Sequence, residues 1–213
     1  MSASVNDIVK LINEVSRKKR KRPFDVARDL ICAVYEWQRS NIDYKSSAKF
    51  GAKSELFTTY KYLNDVIIDF HYLYDSVVKS KPFADVLGEV LHEIGSVDKK
   101  YLGQCMTPND IVSLKSEIVS RQFDEWLKKS EKKDDIKIGD PTGCGTGALI
   151  LGLLAKMINV DSIKKIEIGL IDIDEVMIKA AIMQISYNLH SHNKSKKEVP
   201  IKAFVCNALT MKV

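Results

Sequence analysis

The stretch Lys137–Leu151 reads KIGDPTGCGTGALIL, and with Gly152 it holds half of the chain's ten glycines: Gly139, Gly143, Gly145, Gly147 and Gly152. Glycine admits positive φ and lets a ligand come close to the backbone. A helical pattern opens at Ala148, and a helix N-terminus presents N–H groups that lack intrahelical partners. Asp172 lies 25 residues beyond Gly147 at the end of an apolar run, where its carboxylate can accept hydrogen bonds from ribose hydroxyls. Loop, helix and distal acid together make a candidate adenosine-cofactor site. Gly143-x-Gly145-x-x-Ala148 also satisfies the dinucleotide fingerprint, whose last position accepts alanine, so a nicotinamide cofactor stays open on these residues alone. No Gly-Lys-Ser/Thr follows the glycines, which excludes a P-loop.

Other residue types that do chemistry are scattered. Cys32, Cys105, Cys144 and Cys206 form no CxxC pair and have no histidine at ligand spacing. That pattern points to free thiols in a reducing cytoplasm and to no metal, and His190 and His192 do not change it. The run Arg17-Lys18-Lys19-Arg20-Lys21-Arg22 offers a grip on nucleic-acid phosphates. It reads equally as a solvated helix end, where cations oppose the helix dipole. The net charge of +5 permits an anionic partner without demanding one. The aromatics of Phe70 to Asp75, FHYLYD, could stack bases, but at helical spacing they read as core. No apolar run approaches the ~20 residues of a membrane helix. The N-terminus is no secretory signal, because its charges follow its apolar residues.

Two kinds of element must position the loop. Up to about residue 130 the apolar spacing is helical. Ser4-x-x-Asp7 resembles a capping box, with Val5, Ile8, Val9, Ile12 and Val15 on one face. A second helix opens at Pro23 and carries Val26, Leu30, Ala33, Val34 and Trp37. A polar stretch, NIDYKSSAKFGAKS, precedes a long helix with Tyr60, Leu63, Ile67, Phe70, Tyr74 and Val77. A shorter helix runs from about Pro82 to Ile94 and stops at Gly95. Thr107-Pro108-x-Asp110 then caps a helix expected to bury Ile111, Leu114, Ile118 and Trp126. After the charged linker KKSEKKDD the pattern becomes strand IKIGD, helix GALILGLLAKMI, strand KIEIGLID, helix DEVMIKAAIMQISYNLH and strand IKAFVCNAL. This βαβαβ order predicts an α/β fold: a partial Rossmann-like parallel sheet over 131–213, preceded by a helical domain over 1–130.

Several of these segments, in order over roughly residues 85–213, resemble the adenine-N6 DNA methyltransferases, and specifically the modification subunits of type I restriction systems. GQCMTP, Gly103 to Pro108, is similar to the family's Gly-Gln-aromatic-x-Thr-Pro segment, with Cys105 in the aromatic place. DPTGCGTGALIL resembles its Asp-Pro-x-Cys-Gly-x-Gly loop, and GLIDIDEVMIKAAIMQI its Gly-x-x-Asp/Glu segment. VCNALTM stands where the third motif falls, with Asn207 in the place of an acid that often meets the adenine ring. The resemblance implies S-adenosylmethionine as cofactor and a class I methyltransferase sheet. It implies that Gln104, Thr107 and Pro108 help hold the methionine end, that Asp140, Pro141, Gly143, Cys144, Gly145, Thr146 and Gly147 form the loop, and that Asp172 takes the ribose.

Two departures qualify what is implied. The loop has one residue more between Asp140-Pro141 and Cys144 than the family pattern, so either Thr142 or Gly143 is inserted. The chain contains no Asn/Asp-Pro-Pro-aromatic tetrapeptide, the family segment that holds and polarises the flipped base, and it reads as truncated before it. Three readings follow: a DNA adenine-N6 methyltransferase or its cofactor-binding portion, completed by a partner; a binding or regulatory protein that keeps the pocket without the chemistry; and a nicotinamide-binding or structural domain. In the family's sheet the loop-bearing strand is flanked on both sides. The edge of Ile136–Ile138 is therefore expected to pair with a partner's strand or a second copy, or to be covered by the N-terminal helices.

Overall fold

The computed structural model describes residues 3–46, 59–95, 110, 111, 114, 117–119, 121, 125, 135–140, 143–207 and 210. The chain groups into two compact units. One comprises Met1–Val77 and Glu89–Gln104; the other comprises Val78–Gly88 and Cys105–Val213. The segment Val78–Gly88, which the sequence sets among the helices, thus groups with the sheet-bearing residues.

The first unit is helical. Helix α1 (Val5–Lys19) opens where Asp7 accepts from the Ser4 amide at 2.9 Å and from the Ser4 hydroxyl at 2.7 Å. It buries Val5, Ile8, Ile12 and Val15 and ends at Arg20, whose φ of 52° turns the chain. Helix α2 (Pro23–Ser46) extends into the stretch read as polar linker, and between Phe24 and Ser46 the sequence has no glycine or proline to interrupt it. Its buried side includes Val26, Leu30, Ala33 and Val34. Lys61–Leu63 forms a 3₁₀ turn ahead of α3 (Asn64–Ser80). Phe70 and Tyr74 of α3 are fully buried and stacked with ring centres 6.0 Å apart, so these two aromatics are core. Helix α4 (Val86–Ile94) starts later than its apolar pattern suggests, because Phe83 adopts a left-handed φ of 58°. It closes where the Gly95 amide bonds the Leu91 carbonyl at 2.8 Å.

The second unit carries the predicted βαβαβ run: β1 (Asp135–Asp140), α5 (Ala148–Met157), β2 (Lys165–Asp172), α6 (Glu175–His192) and β3 (Ile201–Val205). The strands are parallel in the order β1-β2-β3, with Ile138 opposite Ile168 and Ile168 opposite Ile201. The core explains this arrangement. Ile136, Ile166, Ile168 and Leu170 point from one sheet face into Ile150, Leu151, Leu154 and Met157 of α5 and Ile178, Ala181 and Ile185 of α6. Both helices therefore cover the same face, as right-handed crossovers in one direction require. The opposite face carries charges, with Glu167 3.9 Å from Lys137 and 2.9 Å from Lys202. Among the described residues no strand pairs with the outer edge of β1. The result is an α/β, broadly Rossmann-like fold: N-terminal helices and a small parallel sheet.

One expected core does not form. Residues 110, 111, 114, 117–119, 121 and 125 are helical, but Ile111, Leu114 and Ile118 are 52%, 63% and 50% exposed. The helix instead turns Val119 toward a cavity of about 290 Å³ beside β1, and Glu117 pairs with Lys156 of α5 at 3.5 Å. Trp126 and the Thr107 cap lie outside the described residues. Another anchor has no apolar signature. The buried Lys197 ammonium donates to the Val160 and Ile163 carbonyls at 2.8 and 2.6 Å, closing the turn that feeds β2.

Candidate cofactor site

The loop from Gly143 to Gly147 joins β1 to α5 at the carboxyl ends of the strands, where open parallel sheets bind ligands. Its path requires glycine at three positions, with φ of 111° at Gly143, 51° at Gly145 and 88° at Gly147. Gly147 has a second reason. A Cβ there would lie 3.1 Å from the Ala181 side chain, so the start of α5 and the middle of α6 approach through the missing methyl. Hydrogen bonds then fix the loop to β2. The Cys144 amide donates to the Ile171 carbonyl at 2.8 Å, and the Gly147 amide to the Cys144 carbonyl at 2.8 Å.

Asp172 is the hub. Its carboxylate accepts from the Gly145 amide at 2.8 Å and from the Asp174 amide at 2.9 Å, one bond to each oxygen. Its own carbonyl accepts from the Cys206 amide at 2.9 Å, which brings the end of β3 to the same place. Asp140, the last residue of β1, is likewise buried. The Cys144 thiol feels both acids: burial first, then the charges of Asp172 and Asp140, push it up to about 12. A thiol so placed is protonated at neutral pH and is no nucleophile.

The structure thus brings Asp140, Gly143, Cys144, Gly145, Thr146, Gly147 and Asp172 together at one end of the sheet. Asn207 follows β3 directly after Cys206, and its side-chain oxygen accepts from the Thr210 amide at 3.2 Å. Gln104, Thr107, Pro108 and Pro141 lie outside the described residues.

Neither any protein-family model nor any curated protein matches the chain. Among solved structures it is similar to a candidate class I S-adenosylmethionine-dependent methyltransferase from Listeria monocytogenes, at 12% identity and a TM-score of 0.48. The match covers 97% of this chain and 54% of the other, so the chain spans about half the length of that protein. The similarity is distant and structural, and it carries no weight for the chemistry.

Sequence reasoning missed two features of the site. Ile173, next to Asp172, is 70% exposed, an apolar side chain at the strand end beside an acid. Its signal was the odd member of the alternation in KIEIGLIDID, which leaves Ile173 beyond the last strand residue. The other is Asp85, whose carboxylate receives the Thr146 hydroxyl at 2.9 Å. No local pattern announces a contact between residues 61 positions apart.

The basic run is less available than its composition suggests. Lys21 pairs with Asp29 at 3.1 Å, and Arg22 with Asp25 at 2.9 Å. Arg17 donates to the Asn13 carbonyl at 3.3 Å. Lys18, Lys19 and Arg20 are exposed around the left-handed turn. Among the described residues no cluster of histidine, cysteine and acid could hold a metal, and no helix is long and apolar enough to cross a membrane.

Proposed function

We propose that the chain binds S-adenosylmethionine and forms the cofactor-binding portion of a DNA adenine-N6 methyltransferase. One observation carries the cofactor assignment: two buried carboxylates, Asp140 and Asp172, flank the glycine loop, and the Gly145 N–H is engaged by one of them. A pyrophosphate binds on N–H groups turned outward at the helix start; an acid in the place of Asp172 serves the ribose of either cofactor, but a second acid beside the loop, Asp140, opposes a dianion. A sulfonium and an α-ammonium are favoured by the same two acids. The balance therefore leans from nicotinamide dinucleotides to S-adenosylmethionine, and the residues present fit that group.

When bound, S-adenosylmethionine supplies a methyl group activated by the positive sulfur. The chain's own residues hold it. Asp172 keeps lone pairs beyond its two backbone bonds and accepts from the ribose hydroxyls. Ile173 gives the purine an apolar face, and Asn207 reads its edge. Gly143 and Gly145 let the backbone approach, and Asp140 faces the cationic end. Gln104, Thr107, Pro108 and Pro141 complete the methionine end on the strength of the sequence resemblance.

Transfer to adenine needs a group that orients the flipped base, and the chain has no Asn/Asp-Pro-Pro-aromatic segment. In this reading residues beyond these 213, in this chain or in a partner, supply it by pairing a strand with the outer edge of β1, beside the cavity lined by Val119, Ile138 and Leu153. The exposed Ile111, Leu114 and Ile118 add apolar surface for such a partner. Lys18, Lys19 and Arg20 are the cations offered to DNA. The alternative is a regulatory protein that binds the cofactor without turnover.

Calorimetric titration separates the cofactors. S-adenosylmethionine is expected to bind and NAD not, with binding lost in Gly145→Asp and Asp172→Ala; NAD binding alone would overturn the assignment. Labelled-methyl transfer to unmodified DNA, with and without candidate partner chains, then separates enzyme from regulator.

A further inference from the structure

The glycine loop is anchored by two acids, and only one of them belongs to the cofactor reading. The second, Asp85, comes from the short segment between α3 and α4. Its Oδ2 accepts the Thr146 hydroxyl at 2.9 Å, and its Oδ1 accepts the Gly88 amide at 2.9 Å, which caps the first turn of α4. Gln184 of α6 joins them. Its Nε2 donates to Asp85 Oδ1 at 2.7 Å and to the Thr146 carbonyl at 2.7 Å, and its Oε1 accepts the Leu87 amide at 2.9 Å. A carboxylate and a carbonyl only accept, and a backbone amide only donates. The amide of Gln184 therefore has one orientation, and turning it over would break all three bonds.

One helical turn on, Asn188 donates to the Gln184 carbonyl at 2.9 Å and accepts the Phe83 amide at 2.6 Å. That bond meets Phe83 in its left-handed conformation, uncommon for a residue with a side chain. Asp85, Thr146, Gln184 and Asn188 are all more than nine-tenths buried. Gly88 makes the arrangement possible. A Cβ at that position would lie 2.0 Å from Asp85 Oδ2, so only glycine lets the carboxylate fold over the helix start and still reach Thr146.

Thr146 sits between Gly145 and Gly147, two of the loop's three positive-φ glycines. A loop so rich in glycine is costly to order, and any freedom left in the free protein is lost again when a ligand binds. Holding Thr146 at both hydroxyl and carbonyl removes that freedom beforehand. Ordering a single residue corresponds to roughly tenfold in a binding constant. We propose that Asp85 and Gln184 are positioning residues, which fix the cofactor loop through Thr146 and thereby set cofactor affinity from the first turn of α4. The inference rests on the S-adenosylmethionine reading above.

The test uses the full chain and two readouts, only one of which needs a cofactor. Gly88→Ala touches neither loop nor ligand and displaces Asp85. Thr146→Val removes the hydroxyl, and Thr146→Ser keeps it. Amide exchange at Gly145 and Gly147 is expected to accelerate at least tenfold in Gly88→Ala and Thr146→Val, in chains whose urea melts show them folded. Their affinity for S-adenosylmethionine is expected to fall about tenfold or more, with Thr146→Ser recovering most of the loss. The double variant should bind no more weakly than the weaker single, because both break one link. Unchanged exchange in both variants overturns the proposal, as does faster exchange with unchanged affinity, which would mark the network as structural only. A wild-type chain that binds no S-adenosylmethionine, with exchange still accelerated in the variants, overturns the cofactor reading and leaves the anchor standing. Should Gly88→Ala not fold, the Thr146 pair decides alone.

Discussion

The end of α1 and the start of α4 both bring charged side chains to a chain turn, and they do so under opposite conditions. Around Arg20 the ionic groups are in water: Lys21 and Asp29 are 43% and 31% exposed, and Arg22 and Asp25 are 66% and 40% exposed. Around Asp85 the partners Thr146, Gln184 and Gly88 are buried. Exposed pairs exchange water for protein at nearly equal free energy. A buried carboxylate has no such exchange, so each donor taken from it leaves its full desolvation penalty behind. Similar residue types therefore give an adjustable surface in one region and a fixed geometry in the other, and the fixed geometry is the one beside the glycine loop.

The contrast breaks most visibly at Gln184. Gln184→Leu keeps the volume and removes two donors and an acceptor from buried partners, and it should destabilise the chain by about 4 kcal/mol in urea unfolding. A loss under about 1 kcal/mol would place the Asp85 network in the same class as the surface pairs. Gly147→Ala comes next. The left-handed φ of 88° and the approach to Ala181 should together remove about 2 kcal/mol by the same measurement. Gly95→Ala makes a useful contrast, since Gly95 has no positive φ and the obstacle is the Leu91 carbonyl, 2.7 Å from the added Cβ.

The same distinction explains what was legible in the sequence. Strands β1 and β2 could be read because Ile136, Ile166, Ile168 and Leu170 alternate, β3 from the short run Ile201–Val205 with its β-branched and aromatic residues, and the helices between them because α5 and α6 repeat their apolar residues. The loop was legible because positive φ leaves a glycine behind, and Asp172 because it ends a strand. Gln184 and Asn188 read as polar interruptions of an apolar helix, and Asp85 as one acid among many. Their meaning depends on partners far away in sequence, which no local period encodes. Ile111, Leu114 and Ile118 failed in the opposite direction: their spacing marks an apolar face, but spacing does not say what covers it. The helix ends slipped for a local reason, Phe83 delaying α4 and the absence of glycine and proline between Phe24 and Ser46 prolonging α2.

Cys144 offers a smaller and sharper test, because it sits between Asp140 and Asp172. Its folded-state value of about 12 lies above its ordinary 9.0, so the unfolded chain loses this proton first as pH rises. The contribution is complete below about pH 9 and declines as pH climbs toward 12, and Cys144→Ala should flatten that part of the stability profile. At about pH 8, below the ordinary thiol value, Cys144 should react with a maleimide far more slowly than in urea. Reaction at the unfolded rate would mean that the loop opens readily and the two acids do not enclose it.

The smallest effects belong to the surface. Lys21 lies 3.1 Å from Asp29 and 4.2 Å from the centre of the Tyr62 ring, and the Tyr62 hydroxyl also donates to Asp29. Burial and that bond hold the Tyr62 hydroxyl above the usual phenol range, so it stays protonated wherever the chain is folded at ordinary pH. Lys21→Ala removes one exposed pair and one cation over a ring and leaves Asp29 with its Tyr62 donor. The expected loss is about 1 kcal/mol or less, shrinking as salt screens the pair. Arg22→Ala should fall in the same range. The two substitutions also divide the basic run. If Lys18, Lys19 and Arg20 are the residues that meet DNA phosphates, replacing those three should flatten the salt dependence of DNA binding, by about 0.9 in slope for each phosphate no longer neutralised. Replacing Lys21 should leave that slope nearly unchanged, because its charge is already matched. An equal change from either set would mean that the pairs with Asp29 and Asp25 open when DNA binds, and that the surface is more adjustable than its geometry in the free chain implies.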